Sequence, residues 1–498
     1  MTQMMAQPTA AQPQTGATTQ GEQLRCSPGV RRAIESIVRE VEEKRSKITD
    51  VRGPLSPQLT QSFEDFMRKA GEVRGRALHY PYIGSGIGNG ALVELMDGSV
   101  KYDLITGIGV NFFGHSEPDL VAAALNAAIS DTPMQGHLLM NEEPVRFSML
   151  LAELASKVSR LSRVFLCNSG VMANENALKM CYQKSGGVAN RVIAFKDCFM
   201  GRTVTMSQIG DSAANRQGIP LSTLVDYMPF YDEAAARRMS AGDASGKARF
   251  IDMCVARLRE YIERYPNQHA CFIFELVQGE GGFNTAPREF FAELMKVCRE
   301  AGIYVWDDEV QTFGRTETMF AFEGLGLAEY IDICCVGKLS QVCAVLFQPE
   351  MNPKPGLLSQ TFLGSVDALH VGKRILERLA DPANNYYGPG GRIARHHKLF
   401  REQVHTLAKK HPEWFPASAD VVDVAGGSGG MMRFTPYGGK KDPVMKLCKA
   451  MFEEGVIAFY CGHGPWHVRM LPPLGVMEES AWPKIFAIIE RAMMKAGQ

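Results

Sequence analysis

The chain reads as an α/β protein, with a mostly parallel, doubly wound sheet in a large body and a smaller α+β body beside it. Three observations predict this. From about residue 118 to 350, strand-sized apolar runs alternate with segments of helical period, and strand–helix–strand order requires parallel pairing through crossovers. With 498 residues, 45% hydrophobic and 22% charged, the chain can bury more than one core. Beyond about residue 370 the pattern changes to a long helix, short strands and a final amphipathic helix.

In order, residues 1–23 lack both a charged n-region and an apolar h-region, and their Gln, Thr, Ala and Pro content predicts a disordered tail. A charged helical stretch follows at 34–47. The apolar run 91–96, an Asp97-Gly98 turn and the run 100–104 predict a hairpin. Strands are expected at 164–167, 191–195, 270–274, 303–306 and 331–336, with a helix at 287–301 stopped by Gly302. The last part holds a helix at 370–379, strands at 421–424 and 431–434, and a helix from Ala481. The expected division is 24–115 for the N-terminal part of the small body, 116–368 for the large one and 369–498 for the rest of the small one.

Composition narrows the function. Lys and Arg total 54 and Asp and Glu total 54, so no net field gathers a nucleic acid. No apolar run approaches the ~18–20 residues that span a bilayer. The 12 cysteines form no C-x-x-C pair, which points to reduced thiols, a cytoplasmic location and no structural metal. The alternating glycines from Gly84 to Gly90 precede a hairpin instead of opening a helix, so they read as a flexible turn and not a nucleotide loop.

In a doubly wound sheet, ligands lie beyond the carboxyl ends of the strands. Three strand ends carry chemistry. Asn168-Ser169-Gly170-Val171 leads from a strand into a helix, where backbone N–H groups can hold a phosphate or Ser169 can serve as an ordinary N-cap. Asp307-Asp308-Glu309 is a metal site, an acid/base pair, a partner for a protonated ring nitrogen, or a solvated loop. Lys338, just past a buried strand, is a desolvated nucleophile, a surface lysine or half of an ion pair. A phosphate cradle, a ring-nitrogen carboxylate and a nucleophilic lysine together suit pyridoxal 5′-phosphate.

These segments, in this order from Gly84 to Leu474, resemble the class III (ω-amino acid) aminotransferases of fold type I. The resemblance rests on Gly107 to His115, Ser169-Gly170-Val171, Phe199-Met200-Gly201-Arg202, Glu275 to Glu280, Asp308 to Gln311 with Gly314-Arg315-Thr316, Lys338, Gln360-Thr361-Phe362 and Arg469-Met-Leu-Pro-Pro. It implies a homodimer in which Ser169, Gly170 and Val171 hold the phosphate with Thr361 of the neighbouring subunit. Phe199 and Glu275 would line the cofactor, Gln311 would lie near its ring hydroxyl, Asp308 would pair its nitrogen and Lys338 would hold its aldehyde. Arg469 would take the α-carboxylate or pair with Glu280, and Arg202 the distal carboxylate. Leu276, Met172 and Met200 depart from the usual Pro, Glu and His without removing a charged catalytic group.

The implied reaction moves an ω-amine to 2-oxoglutarate, giving a semialdehyde and glutamate. Ile108, where ornithine-specific relatives often carry an aromatic, favours lysine, 4-aminobutyrate or acetylornithine as donor. Gly337-Lys338 with Gln341-Val342-Cys343 resembles the lysine 6-aminotransferase branch. The alternatives are an aminomutase, decarboxylase or racemase of the same fold, a non-catalytic scaffold, and a metal-dependent hydrolase built on Asp307, Asp308 and Glu309.

Overall fold

A computed structural model describes residues 18–240 and 245–497. Its centre is a seven-stranded sheet in the order Arg163–Cys167, Cys343–Phe347, Ile333–Val336, Tyr304–Glu309, His269–Phe274, Arg191–Phe195, Leu224–Met228. Neighbours pair in parallel except around Cys343–Phe347, which runs antiparallel to both strands beside it. These strands are buried on both faces, as their continuous apolar sequences require. One face packs under Phe290, Phe291, Leu294 and Leu258. The other packs under Ala173, Ala177, Met180 and Cys181 of the helix Gly170–Lys184.

The two ends of the chain meet in a second core. The hairpin Leu92–Leu95 and Val100–Asp103 forms as expected, and the short strand Val456–Ile457 joins Val100–Asp103 in parallel. A four-stranded antiparallel sheet carries His467–Met470 between Met431–Phe434 and Phe459–Cys461. Helices Arg392–Lys410, Lys441–Glu454 and Ala481–Ala496 bury Phe400, Met451 and Trp482 against this region. Arg315, fully buried, ties the large sheet to both ends by donating to the Gly109 and Pro472 carbonyls at 3.1 Å each.

Several expectations need correction. The boundary of the tail at residue 23 falls inside a helix, Gln20–Cys26, capped by Thr19; residues 1–17 lie outside those described. Gly84–Asn89 is not a turn but an edge strand with an irregular register against Leu92–Leu95. The strand expected at 421–424 forms instead at Ala425–Ser428, where it pairs with Met431–Phe434. Tyr304–Glu309 extends through the acidic run, so Asp307, Asp308 and Glu309 lie within the strand instead of after it. The thiols follow expectation: eleven of the 12 cysteines are buried and all are free.

Extending the strand separates the three acids. Successive side chains point to opposite faces, so Asp308 looks one way while Asp307 and Glu309 share the other, both fully buried and grouped with Cys334. Glu309 accepts from the Ala321 and Phe322 amides at 2.8 and 3.0 Å, whereas neither Asp307 oxygen has a donor. Burial and the neighbouring Glu309 push the Asp307 carboxyl far above its ordinary range, and burial pushes Glu309 up to about 7. Asp307 therefore keeps its proton beside Glu309. The unfolded chain releases that proton near pH ~4, so stability should fall as pH rises from there toward 7. Asp307→Asn keeps a donor but cannot titrate. Its urea midpoint should fall less between pH 5 and 7, the difference in slope approaching ~1.4 kcal/mol per pH unit for one proton.

Candidate active site

Five strands end in one cleft, and each supplies a residue. Arg163–Cys167 runs into Ser169, the N-cap of Gly170–Lys184, whose hydroxyl accepts from the Met172 amide at 3.4 Å. The Gly170 and Val171 amides sit in the first turn of this helix, facing the positive end of its dipole. A side chain at Gly170 would meet Val310 Cγ1 at 2.7 Å, and one at Gly201 would meet Val171 Cγ2 at 2.2 Å. Only glycine lets these two loops close on the turn.

Asp308 lies beside Cys335 in register on one side, and on the other its strand pairs with His269–Phe274. Its carboxylate accepts from Asn174 Nδ2 at 2.7 Å and from the Val310 amide at 2.9 Å. The same Asn174 nitrogen donates to the Met200 carbonyl at 2.8 Å, linking the acid to the segment that carries Phe199. Asp308 is only 7% exposed, and burial pushes its carboxyl up while Asn174, Val310 and Lys338 pull it back. Asn174 was not singled out as a site residue from sequence. Its signal is a polar residue among the buried positions Ala173, Ala177 and Cys181, where Asn176 is buried as well.

Lys338 opens a single 3₁₀ turn directly after Ile333–Val336 and Gly337, with φ +52°. Burial lowers the pKa of its amine, opposed by the negative charges of Asp308, Glu280 and Glu275. The same balance places Asp308, Glu280, Arg469 and Glu275 within electrostatic reach of one amine. A side chain at Gly337 would meet Cys343 Sγ at 2.6 Å, so the loop carrying Lys338 is fitted against the returning strand.

Glu275 follows His269–Phe274 and accepts from the Phe199 amide at 3.0 Å and the Gly279 amide at 2.8 Å. Burial and the negative Asp308 raise its carboxyl to about 8. It thus fixes the Phe199 segment and the Gly279–Gly282 turn together. Gln311 is 7% exposed, its Oε1 has no donor, and it packs so closely on Gly279 that a Cβ there would lie 2.8 Å from its amide.

Arg469, 1% exposed, donates through Nη2 to Glu280 Oε1 at 2.8 Å, leaving Nε and Nη1 without acceptors. Phe283 and Phe459 flank its guanidinium at 5.9 and 5.4 Å. Ile108 sits in a left-handed stretch (φ +62°) and packs with Val277, Phe283 and Leu471. Arg202 is exposed and stands 5.6 Å from the Phe199 ring; it makes no ion pair among the described residues. Thr361 is exposed too, on a segment whose Gln360 carbonyl accepts from the His137 amide at 3.2 Å. The cleft therefore gathers Ser169, Gly170, Val171, Phe199, Glu275, Glu280, Asp308, Gln311, Lys338 and Arg469, and Thr361 stays outside it.

A pyridoxal phosphate fits what these residues lack. Among the described residues, Asp308 is a buried acid with hydrogen-bond donors but no ion-pair partner within 4 Å, Gln311 Oε1 is an orphan acceptor, and the Gly170 and Val171 amides in the first helical turn face outward for an anion.

The family model for class III aminotransferases matches residues 81–493. An acetylornithine aminotransferase of Caldanaerobacter subterraneus is 28% identical over 402 residues, 79% of this chain and 90% of that protein. A 4-aminobutyrate aminotransferase of Mycobacterium bovis is 28% identical over 466 residues, covering 88% and 96%. Among solved structures, a lysine aminotransferase from M. tuberculosis superposes with TM-score 0.73 at 22% identity, covering 86% of this chain and 99% of that one. With this match over most of its length, together with its fold and strand-end cleft, the chain belongs to the class III aminotransferases, enzymes that depend on pyridoxal phosphate.

Proposed function

We propose that this enzyme transfers the ω-amino group of an amino acid such as lysine, 4-aminobutyrate or acetylornithine to 2-oxoglutarate, yielding a semialdehyde and glutamate. The observation that carries this reading is the Arg469–Glu280 pair at 2.8 Å. An acceptor with an α-carboxylate needs a free guanidinium near the reacting carbon, and an ω-amine donor presents no carboxylate there. A buried arginine without a partner is costly. Glu280 neutralises Arg469 for the donor and gives way to the α-carboxylate of the acceptor, which the guanidinium can bind through two nitrogens. Arg202, exposed and without an ion pair, takes the distal carboxylate of the donor.

When bound, pyridoxal phosphate supplies an aldehyde for the amine and a conjugated ring that stores the electron pair of the broken C–H bond. The protein supplies the rest. Ser169, Gly170 and Val171 would hold the phosphate, and Phe199 would line the ring. Asp308 would hold a proton on the ring nitrogen, and Asn174 keeps that carboxylate aimed. Lys338 brings the one amine to the cleft among the described residues, so its Nζ would carry the proton between substrate and cofactor carbons. Burial lowers its pKa, which favours the neutral, accepting form.

A second copy of the chain completes the site. Leu138 and Leu139, 93% and 83% exposed, stand with Phe362, 56% exposed, beside Thr361. An apolar patch of that kind is a contact surface, and a partner seated there brings Thr361 to the neighbouring phosphate. Residues 24–115 and 369–498 form the smaller body of each subunit around the large one at 116–368. The free, buried thiols fit a cytoplasmic enzyme.

A panel of amino donors against 2-oxoglutarate, read out as glutamate, tests the assignment. Turnover of a donor without any 2-oxo acid would overturn it. Lys338→Ala should lose at least ~10⁴-fold in kcat and the absorbance near ~420 nm typical of the lysine-bound cofactor. Arg202→Ala should raise KM for 4-aminobutyrate by ~10–100-fold, the loss of a charged pair of ~1.5–3 kcal/mol, with kcat for a donor lacking a distal carboxylate unchanged. Asn174→Ala should lower kcat about tenfold and move the pH profile, because Asp308 then loses its side-chain donor. Leu139→Glu should give a monomer with weakened cofactor retention, measured by light scattering and dialysis.

A further inference from the structure

Outside the cleft, a cavity of about 320 Å³ lies where the hairpin Leu92–Leu95 and Val100–Asp103 meets the helices Pro57–Arg74 and Lys441–Glu454. That volume is within the range of small-molecule pockets. Phe63, Leu95 and Phe452 give it apolar walls. Most of the charge around it is already paired or in water. Arg52 meets Glu94 at 2.5 Å and donates to the Gly98 carbonyl at 2.9 Å, Glu454 pairs with Arg491 at 3.2 Å and with Lys495, and Glu453 is exposed.

Lys101 and Asp97 are the exceptions. Lys101 is 9% exposed, with Nζ 4.7 Å from the centre of the Phe452 ring, and among the described residues it has no hydrogen bond and no ion pair within 4 Å. Burial holds its pKa below the usual lysine range, and Asp97 is the acid that opposes this most. Asp97, 7% exposed, accepts through Oδ1 from the Ser99 amide and hydroxyl at 2.9 and 2.6 Å, and its Oδ2 has no donor among the described residues. Both residues line the cavity, and neither Lys101 Nζ nor Asp97 Oδ2 is sealed from it. The cavity therefore holds a donor and an acceptor that lie too far apart to serve each other. Buried polar atoms left without partners cost free energy that a bridging molecule recovers.

We infer that this cavity binds a small primary carboxamide, its carbonyl accepting from Lys101 Nζ, its N–H donating to Asp97 Oδ2 and its alkyl group against Phe63, Leu95 and Phe452. The two opposite charges set the class. A carboxylate would suit Lys101 but bring like charge to Asp97, and an amine or metal ion would do the reverse. A zwitterion would match both but has two further charges to desolvate. An amide serves both through charge-assisted hydrogen bonds and adds no charge. The inference uses no residue of the strand-end cleft and stands apart from the proposed reaction.

The test is titration calorimetry of the cofactor-loaded enzyme with isovaleramide, whose amide nitrogen does not condense with an aldehyde. One equivalent per chain should bind. Lys101→Met, which keeps the length of the side chain without its charge, should weaken binding at least about tenfold, as expected for loss of a charged hydrogen-bond partner. Asp97→Asn, which keeps the acceptor for Ser99 and replaces Oδ2 with a donor, should do the same and serves if Lys101→Met does not fold. Isovalerate, N,N-dimethylisoamylamine and N,N-dimethylvaline should each fail to displace the bound amide; displacement, unlike heat, reports this cavity even where a competitor also enters the cleft. No binding of the amide to the wild type, equal binding by whichever variant folds, or displacement by any of the three would each overturn the inference.

Discussion

The site depends on holding an acid and an amine at the ends of adjacent strands in a cleft too dry for either. Burial alone drives Asp308 toward its neutral acid and Lys338 toward its neutral amine, and each opposes the shift of the other. Neither is satisfied by that opposition. Among the described residues, Asp308 has two hydrogen-bond donors and no ion-pair partner within 4 Å, and the Lys338 amine makes no hydrogen bond. A group offering a cationic N–H to the one and an electrophilic carbon to the other resolves both deficits at once. The surrounding structure can be read as the means of keeping that deficit in place until the group arrives.

The sheet does most of this work through its period of two. On Tyr304–Glu309, Asp308 faces the cleft, while Asp307 and Glu309, its neighbours in sequence, are enclosed together in the core behind it, where Asp307 stays protonated. Adding a negative charge to that pair would raise Asp308 further, so a protonated Asp307 protects the ionised form that the cofactor needs. The single antiparallel strand has a comparable role. Cys343–Phe347 turns back after one tight loop, with left-handed φ at Lys338 and Gln341, and Gln341 donates to the Val110 carbonyl at 3.2 Å. Backbone held in that region costs energy and persists where neighbours overdetermine it. Here the neighbours are the returning strand and the N-terminal segment, so the amine is aimed by parts of the chain far from it in sequence.

Much of this was legible before any coordinates. Alternating strand and helix periods gave the doubly wound sheet, and the rule that ligands lie past strand ends led to Ser169, Asp308 and Lys338. What sequence could not supply was register. The acidic run reads as lying past the strand because charged residues seldom sit inside a buried one; a protonated Asp307 and the Ala321 and Phe322 amides on Glu309 make that placement possible. Asn174 was hidden for a related reason: a polar residue on an apolar stripe announces a buried hydrogen bond but not its partner, here 134 residues away. The edge strand Gly84–Asn89 was missed because glycine carries no alternation signal, so backbone pairing alone defines it.

The arginine at the substrate end is the least satisfied group in the cleft, and this bears on how two unlike substrates share it. Arg469 is fixed: it is fully enclosed, lies in register opposite Arg433 and Phe459, and is walled by Phe283. Glu280 is the exposed half, on a four-residue turn with 31% of its side chain exposed. In the proposed reaction, exchange of carboxylates at Arg469 would proceed by moving Glu280 toward water, where its charge is solvated at little cost, and not by moving the arginine, whose guanidinium has no such refuge. Two of its nitrogens stay without acceptors even when Glu280 is in place. An arriving carboxylate can thus engage Arg469 before Glu280 leaves, so the arginine never stands alone during the exchange.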